Sequence, residues 1–570
     1  MWHLIFLLLI FRDVASAAKP LVMNWSSRAY GPDGPWQAVT IEVGSNRQSV
    51  DLYPGANWAT TILADSICSN TTLSTTCYAA RAGTYNETES TTAVALNKSA
   101  WETAYWNVQG GSIHSTVGDQ VTIGPVVPNV SFTEIYQTYQ TYPNGKAYPV
   151  PVGNLAMGAP YLQNVASGMT LNMIAAWLYS SGEEQNRIPS YSYAMHIGSV
   201  NPPIPGSLVL GGYDKNRLLG EVSSQSVSLN SQSSGIWQIV LKDIGLDAAT
   251  GASPFNATKK SKLFMQSTGA VLSKPVTIDP TKPYMYLPDA TCNAITSSFP
   301  VSFDSALGLY IWDTASSNYD SIVSSATYLS FSFNKDSMND QTLVVKVPLR
   351  LLTLTLQDPL VDQNITYFPC FLSTDTPVLG RAFLQAAFVG VNWFEGNNTG
   401  EWFLGQAPGP GVGDAHIAAI GVKDNTLAAS NHSWEQSWEE HWHPLSEADG
   451  PRGGGLSTGA KAGIGVGAGV AGVVLIAAVV WVVVLRRRRR KQVISAEEPG
   501  EEEKKPAFEG FAELSSSKGK DGLPRELSSM DMASKELATK DAAARELGTT
   551  DNVRPQEIIT SQEPHRHELE

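Results

Sequence analysis

Val276-Thr-Ile-Asp279-Pro-Thr-Lys-Pro-Tyr-Met-Tyr-Leu-Pro288 sets one carboxylate, Asp279, in a loop between two apolar runs. Pro280 removes the backbone N–H that would follow the carboxylate. Lys282 brings a cation near it, and such a neighbour holds a carboxylate ionised. The simplest expectation for Asp279 is a loop Asp bonded to nearby backbone N–H groups. Outward from this stretch, from about Trp36 to about Gly409, apolar and polar residues alternate in short runs broken by Gly, Pro, Asn and Ser. Gln37–Val43, Gln120–Ile123, Ser207–Leu210, Thr342–Val347 and Leu351–Leu356 carry the pattern, which is that of β-strands. Helical stretches are few and short, with Ala290–Thr296 and Arg381–Ala387 the best of them. The texture is all-β, and its extent fits two β lobes that share one cleft.

The ends of the 570-residue chain point to a membrane. Leu4–Phe11 is a short apolar core followed by Ala15-Ser-Ala17, so residues 1–17 are expected to be a secretory signal peptide. Ala462–Leu485 is uncharged, rich in Gly, Ala and Val, and long enough to cross the ~30 Å hydrocarbon core of a bilayer. Arg486–Lys491, six consecutive cations, follow at once and mark the cytoplasmic side. The expected order is a signal peptide (1–17), an ectodomain (18–409), a juxtamembrane stalk (410–461), one transmembrane helix (462–485) and a disordered cytoplasmic tail (486–570). This is a single-pass type I protein of the plasma membrane or another secretory-pathway membrane. Sequons agree with that orientation. Asn24, Asn70, Asn86, Asn97, Asn129, Asn256, Asn364, Asn397 and Asn431 each begin Asn-x-Ser/Thr, and none follows the span.

The formal net charge of −14 argues against nucleic acid as a partner, and the basic run Arg486–Lys491 is suited to anionic lipid headgroups. Gly463, Gly465, Gly467 and Gly469 contain Gly-x-x-x-Gly twice, which predicts a homodimer through the span. Cys68, Cys77, Cys292 and Cys370 allow three disulfide pairings, of which local pairing within each half is favoured. Their spacing does not suit a metal, and no cofactor is expected. Trp434, Trp438 and Trp442 recur at every fourth residue, which predicts a short helix packed on the ectodomain or lying near the membrane. His441 and His443, two residues apart, would not face each other on that helix to bind a metal.

Several stretches, in order, resemble the pepsin-like aspartic peptidases over roughly Trp36 to Gly409. Trp36–Gly44 is similar to the family's opening strand. Gly206-Ser-Leu-Val-Leu-Gly-Gly-Tyr-Asp214 resembles its Gly-x-Leu-x-Phe-Gly-Gly-x-Asp turn between the lobes. Asn154-Leu-Ala-Met-Gly158 and Val378-Leu-Gly380 resemble the two apolar-apolar-Gly elements, and Asp289–Ile295 resembles the helix after the second active-site loop. The resemblance implies a bilobal fold, with an N-lobe at about 36–205 and a C-lobe at about 206–409. It also implies the disulfides Cys68–Cys77 and Cys292–Cys370.

The chemistry of that family needs two carboxylates that share one proton, one acting as base on water while the other is an acid. Here the motifs depart from the pattern. Asp279 stands at the second carboxylate, but Pro280-Thr-Lys282 replaces Thr-Gly-Thr/Ser. In the first loop, Val50-Asp-Leu-Tyr-Pro-Gly-Ala-Asn-Trp58 admits two registers. Matching Gly55 to the family's Gly puts Tyr53 at the catalytic position; matching Trp58 puts Asp51 there. The first is preferred, because Gly55 is a backbone constraint. The flap is expected near Val108–Ser112, which lacks Tyr. The expected function is a catalytically impaired homologue whose cleft binds a peptide or protein ligand. The alternatives are an active membrane-anchored acid endopeptidase using Asp279 with Asp51, and a structural surface glycoprotein.

Overall fold

The structure is a computed structural model that describes residues 18–446, apart from 56–59, 70, 72–73, 106–107, 125–128, 158–162, 167–168, 173, 181–186, 229–236, 256–258, 337–340 and 396–398. The expected signal peptide, span, basic run, glycine face and tail, with Trp58, Gly158, Asn70, Asn256 and Asn397, lie outside the described residues. No helix among the described residues is long and apolar enough to cross a membrane.

The described chain is mostly β. The expected strands appear as Trp36–Val43, Val108–Thr122, Ser207–Leu210 and Thr342–Pro348. Leu351–Leu356 departs from expectation. Its first part is a 3-10 turn, Leu349–Leu352, and only Leu354–Leu356 is a strand. The turn buries Leu349, Leu351 and Leu352 together, which alternating strand geometry would not do.

The same motif is built twice. In the first half, Gly153–Ala156 lies between Gln48–Gly55, to which it runs parallel, and Thr60–Leu63, to which it runs antiparallel. In the second half, Val378–Leu379 lies parallel to Lys274–Ile278 and antiparallel to Met285–Leu287. A glycine stands where no side chain fits in the first threaded strand and directly after the second. A Cβ on Gly153 would meet the Thr61 carbonyl oxygen at 2.0 Å, and one on Gly380 would meet that of Lys282 at 2.3 Å.

Each half has its own large sheet, and a six-stranded sheet joins them. Its order is Leu21–Val22, Ser207–Leu210, Ser192–His196, Ala387–Asn392, Thr399–Gln406 and Leu219–Ser228. Strands from the start, the middle and the later part of the folded body therefore share one layer. The expected division at 205/206 falls in the connection between Ser192–His196 and Ser207–Leu210, which pair with each other in this sheet.

Two disulfides, Cys68–Cys77 and Cys292–Cys370, hold one half each. The latter ties the helix Asp289–Thr296 to the strand Cys370–Leu372.

The stalk expectation is corrected for residues up to 446. Ile417–Ala419 adds an antiparallel strand to Gly212–Asp214, and Leu445 bridges to Ala252. Trp434, Trp438 and Trp442 are buried in the main core, with Trp438 and Trp442 stacked at 5.8 Å. The ammonium of Lys346 sits 4.7 Å over the Trp434 ring and bonds Glu435 at 2.6 Å. The tryptophans thus pack on the ectodomain, but only Gln436–Trp438 forms a helical turn, of 3-10 type. The composition suggested a spacer because the stretch is polar overall; three large rings are enough to fasten it.

Candidate functional site

Asp279 follows the strand Lys274–Ile278 and heads a loop clamped to the helix Arg381–Leu384. The amide of Asp279 donates to the Leu379 carbonyl at 3.1 Å, that of Gly380 to Tyr284 at 3.0 Å and that of Arg381 to Lys282 at 2.7 Å. One carboxylate oxygen of Asp279 accepts the amide of Thr281 at 2.9 Å and its hydroxyl at 2.6 Å. With no N–H on Pro280, the turn is closed one residue later.

Arg381 occupies the space above this loop. Its guanidinium donates to the carbonyls of Pro280 and Thr281, at 3.2 and 3.0 Å. It also stacks on two rings from the first half, Tyr53 at 4.4 Å and Trp36 at 5.1 Å. Among the described residues no carboxylate lies within 4 Å of it, the limit for an ion pair, and its Nε has no partner. Aromatic faces and carbonyl oxygens, rather than an acid, hold this buried cation.

The first loop presents Tyr53, not Asp51, to the second half. Tyr53 is in register with Asn154, is buried, and its hydroxyl has no hydrogen-bond partner among the described residues. Burial pushes its phenol far above the ordinary value, with Arg381 pulling it part of the way back. The group therefore stays neutral. Gly55 pairs with Ala156, and its carbonyl accepts the amide of Met157 at 3.0 Å. Asp51 has another role. Its two oxygens take the hydroxyls of Ser26 (2.5 Å), Thr40 (2.5 Å) and Tyr30. These donors stitch the strands Trp25–Tyr30 and Trp36–Val43 to Gln48–Gly55.

Lys282 is buried beside Asp279. Desolvation pulls its ammonium down to about 8, against an upward pull from Asp279, and Arg381 lowers it further. Three features were missed in the sequence. Asp33 is buried, and one oxygen accepts the indole N–H of Trp36 at 3.0 Å. Tyr142 and Tyr284, from opposite halves, share a buried hydroxyl–hydroxyl bond of 2.7 Å. Arg381 follows the recognised Val-Leu-Gly element, but nothing in the sequence pairs it with Tyr53 and Trp36.

The hairpin Val94–Tyr105 and Val108–Thr122 stands where the flap is expected. Among the described residues no group of three or more His, Cys, Asp or Glu side chains is placed to hold a metal. Of the sequons, Asn24, Asn129, Asn364 and Asn431 are exposed; Asn86 is half-buried and caps a 3-10 turn by accepting the Thr88 amide. Asn97 lies in the strand Val94–Tyr105.

A shared-proton pair needs a second carboxylate facing Asp279. From the first half come the neutral phenol of Tyr53, against the Arg381 guanidinium, and the buried carboxylate of Asp33, which acts electrostatically on that phenol. Such a set can donate hydrogen bonds and hold charge in place, whereas the shared-proton chemistry uses two interconverting carboxyl groups, one to activate water and one to protonate a leaving amine.

A profile of the family described as eukaryotic aspartyl protease matches residues 38–399, well over half of the chain. The aspartic proteinase sxa1 of Schizosaccharomyces pombe is 26% identical over 194 residues, a match that spans 33% of this chain and 32% of that protein.

Proposed function

This chain belongs to the eukaryotic aspartyl protease family, and on that premise we propose that it is a non-hydrolytic member that binds a peptide or protein segment between its lobes. The observation that carries the reading is the contact of Tyr53 with Arg381 over the Asp279 loop. In this reading, a ring and a cation stand at the position where the family's chemistry uses a carboxylate. Losing one member of an interdependent catalytic set costs orders of magnitude in rate in other hydrolases. Asp51 is a poor substitute, because three hydroxyls already use its carboxylate.

The apolar stretch at 462–485 and its basic flank support a membrane anchor, with the folded body outside or in the lumen and the exposed sequons open to glycosylation. In that setting the body would present a bound segment at a membrane surface. The test is hydrolysis of a mixed peptide library by the intact chain across the acidic range, with Asp279→Asn as control. The reading expects no cleavage above the control. Cleavage that Asp279→Asn abolishes would instead establish an acid endopeptidase with an unusual partner for Asp279.

A further inference from the structure

Three segments of the first half reach across to the second half, and two of them, carrying Asp33 and Tyr142, lie within electrostatic reach of the Tyr53–Arg381 contact. The carbonyls of Pro32 and Gly34 accept the amides of Gln357 (2.8 Å) and Thr355 (3.3 Å). The carbonyl of Asp33 accepts the hydroxyl of Tyr367. Tyr78 donates to Asp358. The most developed of the three is a hairpin tip. Asn129–Thr141 turns through residues 142–146 and returns as Ala147–Pro149. The turn closes on itself, the Gly145 amide donating to Tyr142 at 2.8 Å and the Tyr142 amide to Lys146 at 3.1 Å, with Gly145 at φ +80°. Beyond what holds the turn, two contacts face outward. The amide of Asn144 donates to the Ala306 carbonyl at 3.1 Å, and Tyr142 shares its hydroxyl bond with Tyr284.

Tyr142 and Tyr284 are 3% and 1% exposed. Tyr142 packs edge-on against Tyr148, at 5.4 Å, and Tyr284 stacks on Phe371, at 5.5 Å. A hairpin of one half thus inserts a ring into an aromatic cluster of the other, only five residues along the chain from Asp279.

We infer that the turn at residues 142–146 is a latch that holds the two lobes closed over the Tyr53–Arg381 floor, and that a ligand reaches the floor only when the latch is withdrawn. The six-stranded sheet joins the lobes permanently, so release leaves that sheet intact and opens only the far side. The consequence for ligand entry rests on the reading of the cleft as a binding site; the latch itself is tested without ligand.

The experiment is hydrogen–deuterium exchange on the intact chain, comparing wild type with Tyr142→Phe. The substitution removes one hydroxyl, keeps the ring, and leaves the buried Tyr284 hydroxyl without its partner. A buried hydrogen bond of this kind predicts a rise in opening of about fivefold or more. The rise is expected together at residues 31–36, 142–148, 284–287 and 354–358, with Ser192–His196 and Ala387–Asn392 unchanged. An oxidised Asn144→Cys/Ala306→Cys pair, at a site where the two backbones already touch, should hold exchange in those four segments at or below the wild-type rate. Exchange that rises only within 142–148 would overturn the inference, because the hairpin would be moving alone. A rise that includes the six-stranded sheet would also overturn it, because the change would be global. Neither result bears on hydrolysis, which is measured separately.

Discussion

Lys282→Met tests the electrostatics of the candidate site through stability. The Lys282 ammonium is held at about 8 rather than its ordinary 10.5, mainly by desolvation. Between those values the unfolded chain binds a proton that the folded chain has released, so stability rises with pH across the window. The penalty is fully present below pH 8 and relieved by pH 10.5. It amounts to about 3 kcal/mol at about pH 7, of which about 2 kcal/mol is regained by about pH 9.5. Buried tyrosines act in the opposite sense. Their raised values give stability that is lost above the ordinary tyrosine value of 10.0, so the profile should crest before that point. The assay is urea unfolding of the intact chain, followed by fluorescence of the buried tryptophans. Lys282→Met should stabilise the protein at about pH 7 by about 1–3 kcal/mol, less than the full penalty if the lost attraction to Asp279 counts, and the gain should shrink by about 2 kcal/mol by about pH 9.5. Parallel profiles for wild type and variant would refute the reasoning.

Two further substitutions probe the body around the site. Glu134 is buried, and desolvation pushes its carboxyl up to about 7, with the Tyr136 hydroxyl pulling it back. Its contribution is fully present below pH 4.5 and lost as pH rises through 7. Glu134→Gln should therefore stabilise at about pH 8 by about 1–3 kcal/mol and change little at about pH 4, as read from unfolding midpoints at the two values. Trp438→Ala removes a fully buried ring from the C-terminal wrap and should cost about 3–5 kcal/mol. A flexible spacer would lose almost nothing, so a midpoint shift separates the two accounts.

The fold was legible because its signals are local and repeated. The Val378-Leu-Gly380 element is visible as two apolar residues and a glycine, and the close approach of the Lys282 carbonyl explains the glycine. The helix Asp289–Thr296 and its tie to Cys370 follow from the same family pattern. The expected helix at Arg381–Ala387 ends at Leu384 because Ala387 already begins a strand of the six-stranded sheet. What stayed hidden is long-range. Arg381 reads as the start of a helix until Tyr53 and Trp36, more than three hundred residues earlier, are seen to face it. Asp33, in a Gly- and Pro-rich turn, reads as loop polarity until its burial against Trp36 is known. Asp51 reads as available for chemistry because its three hydroxyl partners are scattered over residues 26–40. Alternation shows which face of a strand is buried; it does not show which distant cation or ring arrives there.

The most direct test of the central claim is cleavage of a mixed peptide library by the intact protein between about pH 3 and about pH 6, where a shared-proton pair would operate. Wild type, Asp279→Asn and Tyr53→Phe would be compared side by side. The account predicts no cleavage by any of the three above the buffer rate. Cleavage by wild type that disappears in Asp279→Asn and survives in Tyr53→Phe would contradict it.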